Sequence, residues 1–318
     1  MSLLTPPVKG TGAIAGKLLV AIMVPSLLVT AVAGSSSSMA FGLAVGLGMA
    51  ATPISGATGA AVAVGIGAVL AGFSSAAGSS PWPIAVLTLL AALCSAVVNR
   101  RSAGLLSLAP IMVILFGPGP IDLPWWAAVL WVLIGGLAGY LIVKLLKFQA
   151  TATPVTRRVA WEHGMAVGVF SAITMWVALS YNIPHGYWAA VTILMALRPL
   201  PDQRRKTLVE RLIGTLLGGL IALIVVLTLP TGGALIVAAV CLFLLIWYSM
   251  GGAYLMQTLA LTPMMLIFAS LGDKETGFEL TIERVSFTVV GFVLACFVAW
   301  LLQNHESRQE TGRHTKGR

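Results

Sequence analysis

"HGYWAAVTILMALRPLPDQRRKTLVERLIGTLLGG" occupies residues 185–219. Five of the chain's nineteen Lys/Arg residues fall between Arg198 and Arg211 of this stretch, in surroundings almost free of charge. The apolar run before them, 186–197, would span only ~18 Å as a helix. A bilayer's hydrocarbon core is ~30 Å thick. Both the short run and the dense charge need a membrane to make sense, and the rest of the chain supplies one.

Hydrophobic residues make up 58% of the 318 residues and charged residues 9%. A soluble domain carries roughly a quarter charged residues. Mean hydropathy is +0.97. So little polar surface cannot cover a soluble core, so the chain reads as an all-α integral membrane protein whose backbone is satisfied within helices. The apolar runs are long and do not alternate, which excludes a β-barrel. Cys94, Cys241 and Cys296 lie inside apolar runs, with no CxxC or Cys/His spacing, and read as helix-packing thiols. No metal cluster, nucleotide loop or nucleophile–base pattern appears, so no cofactor, no metal and no enzymatic activity are expected.

Apolar spans fall near 13–33, 39–51, 57–77, 82–98, 103–117, 124–146, 160–180, 186–197, 209–229, 233–249, 253–270 and 280–302, about twelve helices. The start of the first, with Lys9, Lys17 and "AVAGS", also has the shape of a signal peptide, but this run has a counterpart later in the chain. With both termini cytoplasmic, seventeen Lys/Arg fall inside and two, Lys274 and Arg284, outside. This positive-inside bias makes the net charge of +9 topological and removes nucleic acid as a partner.

The two halves of the chain echo each other. "AFGLAVGLGMAATP", ending at Pro53, aligns with "GYWAAVTILMALRP", ending at Pro199. "GAVLAG" (67–72) aligns with "GTLLGG" (214–219), "LAPIM" (108–112) with "LTPMM" (261–265), and "GGLAGYLIVKLL" (135–146) with "GFVLACFVAWLL" (291–302). Six helices per half is an even number, so the repeats are parallel. The expected organisation is a first six-helix half over 1–146, a polar cytoplasmic linker over 147–158, a second six-helix half over 159–302 and a disordered tail over 303–318.

The opening stretch, with its apolar helix, "HGYWAAVTILMALRP", basic segment and "ERLIGTLLGGLIALIV", resembles the fusaric acid resistance-like (FUSC) family, which includes aromatic acid exporters. "ERVSFTVVGFVLACFVAWLL" (283–302) is similar to that family's closing helix, with Arg284, Thr288 and Gly291 in place. The resemblance is best from about Arg157 to Leu302; the first half shares only the Gly/Pro skeleton and has no arginine at Thr52, opposite Arg198. It implies a multi-pass inner-membrane efflux transporter for aromatic or other organic anions, proton-driven. The alternatives are a passive organic-anion channel and a non-transporting scaffold subunit. Partners are then a small organic anion and the lipid bilayer; a homo-oligomer or a periplasmic adaptor stays open.

Short interrupted helices at matching positions in two halves point to a transporter's binding region. The spans 39–51 and 186–197 are therefore expected to line the route together. Arg198, at the inner end of the second, is the first substrate-binding candidate, because a guanidinium grips a carboxylate with two parallel bonds. Tyr187 and Trp188 could stack on an aromatic substrate, and Arg284 needs a reason to lie outside. Glu162 with His163, His185 and Glu283 are the proton-coupling candidates. Arg204, Arg205, Lys206 and Arg211 form a cytoplasmic basic loop that sets topology and draws anions, with Arg211 held by Glu210. An ion pair of Glu162 with Arg158, and of Arg284 with Glu279 or Glu283, are the structural expectations.

Overall fold

The computed structural model describes residues 6–98, 108–147, 154–269 and 274–316. Ten helical elements run through them: α1 Gly12–Ala77, α2 Pro81–Val98, α3 Leu108–Phe116, α4 Trp125–Leu146, α5 Arg157–Ser180, α6 Tyr187–Ala196, α7 Pro201–Thr228, α8 Thr231–Ser249, α9 Tyr254–Ala269 and α10 Lys274–Lys316. Six of them contain a stretch long and apolar enough to cross a membrane, and α2, α6 and α9 carry shorter apolar stretches.

α1 has 66 residues. Straight, it would reach ~100 Å, three times a bilayer core. It is broken at Gly34 (φ 86°) and Gly56 (φ 68°), a backbone conformation only glycine adopts without strain. The chain reverses at both. Ser38 Oγ donates to the Ser26 carbonyl at 2.9 Å, whereas a straight helix would hold the two residues ~18 Å apart. Leu47 likewise lies against Gly67. The element is thus three segments, 12–33, 35–55 and 57–77.

The middle segment corrects the reading of 39–51 as a short helix. It runs the full distance from Gly34 to Gly56, with Pro53 inside it. Proline removes one donor and crowds one carbonyl. The neighbouring Gly48 carbonyl accepts from Thr52 Oγ1 at 2.6 Å, and the chain breaks only at Gly56. The first-half helix packed against short α6 is α3, nine residues long, with Pro110 through Phe116 buried. The expected disordered tail also departs from the structure: the backbone of α10 stays helical to Lys316, through a segment free of proline and rich in good helix formers.

The halves meet reciprocally. The first segment of α1 packs on α8, where Trp247 Nε1 donates to Thr11 Oγ1 at 3.2 Å and Ala15 and Leu18 join Ile246 and Met250. In exchange α2 packs on α5, with Ala92 against Gly168. Inside each half, aligned residues make the same contact. A Cβ added at Gly72 would meet Val129 Cγ2 at 2.7 Å; one at Gly219 would meet Val285 Cγ2 at 3.0 Å. A continuous core runs from α1 through α3 and α6 to α10.

Candidate functional site

α6 is ten residues long, apolar almost all round, and buried along nearly its whole length. Its C-terminal end gives way to extended backbone: Leu197 has φ −78°, ψ 123° and Leu200 φ −82°, ψ 126°. Irregular backbone between apolar helices must find its hydrogen bonds inside the protein. Tyr254 Oη donates to the Met195 carbonyl at 3.2 Å. Arg204, 5% exposed, donates from Nε to the Arg198 carbonyl at 3.3 Å and from Nη2 to the Pro199 carbonyl at 3.2 Å. The expected basic loop is therefore the start of α7, opened by Pro201, a residue whose fixed φ suits the first helical turn. Arg204 holds the connector in place rather than facing water. Arg205 is exposed, and Lys206 Nζ lies 3.5 Å from Glu210 Oε1.

Glu210 and Arg211 do not pair with each other. Neighbours on a helix point ~100° apart, so while Glu210 turns back to Lys206, Arg211 turns into the interior. Arg211 is 1% exposed, and none of its three guanidinium nitrogens has a hydrogen-bond partner. One turn on, Thr215 is fully buried with its hydroxyl also unpartnered. Facing α7 from α10 is Arg284, 2% exposed, close enough to Arg211 for the two charges to repel.

Arg284 does not pair with Glu279 or Glu283. Its Cζ sits 3.4 Å over the Trp188 ring of α6, a cation–π contact, and its Nη1 has no hydrogen-bond partner. Thr288 and Gly291 share this face. Thr288 Oγ1 donates to the Arg284 carbonyl at 2.8 Å, and Gly291 lets α6 approach so closely that an added Cβ would lie 2.7 Å from the Ala189 carbonyl. The Arg284, Thr288, Gly291 pattern is thus the α6-facing edge of α10. Tyr187 is buried beside Trp188, with ring centroids 4.9 Å apart. At the N-terminal end of α6, His185 Nδ1 and Glu283 Oε2 are 2.5 Å apart and both partly exposed.

The structure thus brings together Tyr187, Trp188, Arg284, His185 and Glu283, and adds Arg211 and Thr215. It leaves Arg198 at the opposite end of α6, half-buried, with Cζ 5.2 Å from the Tyr254 ring centroid. Glu162 and His163 are not a working pair. Glu162 accepts from Arg158 Nε at 2.8 Å near the surface. His163 turns the other way and is 4% exposed, with Nδ1 unpartnered, within the fields of Arg204 and Arg198. Thr215 had no signal in the sequence, since a threonine in an apolar helix ordinarily bonds its own backbone.

Residues 163–298 match the family model described as fusaric acid resistance protein-like. Over 117 residues the chain is 32% identical to the inner membrane protein YccS of Escherichia coli (strain K12), a match covering 36% of this chain and 15% of that protein. The chain therefore spans a small fraction of the length of that curated relative. No solved structure matches. The fold defines a helical, multi-pass membrane protein. Residues 163–298, less than half of the chain, are similar to the fusaric acid resistance-like family.

Proposed function

We propose that the protein is an inner-membrane transporter that binds an organic anion between α6, α7 and α10 and exports it. One observation carries this reading: the fully buried Arg211 guanidinium, with all three nitrogens unpartnered, beside a second buried arginine. An unpaired charge inside a membrane protein is costly and marks a substrate or ion path. An anion would supply the missing acceptors, and a Trp188/Tyr187 wall would favour an aromatic body. The reciprocal packing of α1 on α8 and α2 on α5, together with the matched Gly72/Val129 and Gly219/Val285 contacts, supports two parallel six-helix halves related by a pseudo-twofold axis.

Proton coupling rests on the His185–Glu283 pair, placed where an outward path from Arg284 would end. The test uses purified protein in vesicles loaded with radiolabelled benzoate. Wild type should release it, and Arg211→Ala and Arg284→Ala should slow release about ten- to a hundredfold, the scale of a lost charged hydrogen bond of ~1.5–3 kcal/mol. Release by both variants at the wild-type rate would sink the site. Release indifferent to an imposed pH gradient would make the protein a passive channel.

A further inference from the structure

We infer that the site between α6, α7 and α10 is matched to an anion carrying two negative charges, one such anion per chain. This rests on the transport reading above and gives it a substrate class. Arg211 and Arg284 bring two positive charges within reach of each other, both side chains essentially without solvent. The carboxylates near them are already committed. Glu210, 2% exposed, lies 3.5 Å from the partly exposed Lys206 Nζ and forms no salt bridge with Arg211, although its Oε1 has no hydrogen-bond partner. Glu283 is turned to His185 at 2.5 Å, and Glu162 to Arg158 at 2.8 Å. Glu279 is exposed. Among the described side chains, none forms a salt bridge with either guanidinium. Of the arginines at the far end of α6, Arg204 donates to the carbonyls of Arg198 and Pro199, and Arg198 lies over Tyr254.

A singly charged ligand would leave one guanidinium uncompensated and the repulsion between the two only partly relieved, in surroundings of low dielectric where both matter most. A second anionic group on the same molecule removes both penalties. The donors left open suit it: three nitrogens on Arg211, one on Arg284 and the Thr215 hydroxyl, on two facing helices. Trp188 lies over Arg284 Cζ at 3.4 Å, which leaves Nη1 as the open donor of that guanidinium. The site is not doubled in the other half. Aligning "GAVLAG" with "GTLLGG" and "GGLAGYLIVKLL" with "GFVLACFVAWLL" places Val64 opposite Arg211 and Ala128 opposite Arg284, both apolar and buried.

The test compares anions of like shape and different charge, phthalate against benzoate and succinate against monomethyl succinate. The protein is reconstituted in phosphatidylcholine vesicles, and binding is measured in parallel by calorimetry in detergent. Wild type should favour the doubly charged member of each pair by about tenfold or more, ~1.4 kcal/mol per factor of ten. Arg211→Gln should lower both members, the dianion about tenfold more than the monoanion, so that the ratio falls to about one, while an unchanged thermal unfolding midpoint reports a folded protein. Equal handling of both members by wild type, or a ratio unchanged in Arg211→Gln, overturns the inference and leaves anion transport standing. If no anion moves, transport fails as a function, and the calorimetric ratio still decides the charge preference. Loss of phthalate binding on adding anionic lipid would assign the two charges to a headgroup and overturn it as well.

Discussion

The N-terminal and C-terminal regions of this chain each contain one glycine–valine contact of the same kind and differ in what they bury around it. Gly72 against Val129 and Gly219 against Val285 are one contact made twice. Around the second lie Arg211, Thr215, Arg284 and Thr288; around the first, at the aligned positions, lie Val64, Ala68, Ala128 and Val132, all buried. One half closes with apolar side chains and needs nothing more. The other holds two buried arginines with which no described carboxylate forms a salt bridge. The helix that follows the first in each half differs in the same sense. Segment 35–55 is a full-length helix, whereas α6 stops after ten residues and is succeeded by extended backbone that Arg204 must hold. On the proposed function, the second half departs from the first at the site of the anion.

The largest expected effect breaks the asymmetry at its centre. Arg211→Ala combined with Arg284→Ala should abolish measurable anion release from vesicles, while Val64→Ala combined with Ala128→Gly should change release less than about threefold and only lower stability. A strong transport defect from the apolar pair would mean that both halves carry the path. Next in size is the connector. Arg204→Ala leaves carbonyls at Arg198 and Pro199 without their donor, each worth ~1–3 kcal/mol when buried. Thermal unfolding in detergent should show a clear loss. If Arg204→Ala unfolds like wild type, the connector is wet.

The shared contact gives a prediction of intermediate size that the halves should pass alike. Gly72→Val and Gly219→Val each force a side chain into a packed helix interface and should cost comparable amounts, about 1–3 kcal/mol. A large cost in one and none in the other would undo the equivalence of the two contacts. Smaller again is Arg198→Ala. With its guanidinium over Tyr254 at the far end of α6, it should reduce release by only about two- to fivefold, within the range of a cation–π contact of ~0.5–1 kcal/mol. Smallest is Arg205→Gln, an exposed charge whose effect should be confined to low salt, because screening acts over ~10 Å at 0.1 M.

Composition alone determined the class, because 9% charged residues cannot clothe a soluble core of this size. The sequence also marked most of the helix boundaries, since prolines, glycines and charge clusters interrupt apolar runs wherever they occur. It singled out Arg284 by its isolation and α6 by its length. It misjudged 39–51, where a proline looked like a stop, though the next glycine three residues on is the actual break. Its pairing of Arg211 with Glu210 and of Glu162 with His163 failed for one reason: adjacent residues on a helix face different neighbours, and which neighbours those are is a property of packing. Only the tertiary structure decided that Arg211 and Arg284, 73 positions apart, are both buried on the packed helices α7 and α10, that Trp188 lies over one of them, and that no described carboxylate forms a salt bridge with them. Local patterns fix where a helix starts and stops. The charge balance of a buried site depends on which helices meet, and it is set by contacts that no run of neighbouring residues contains.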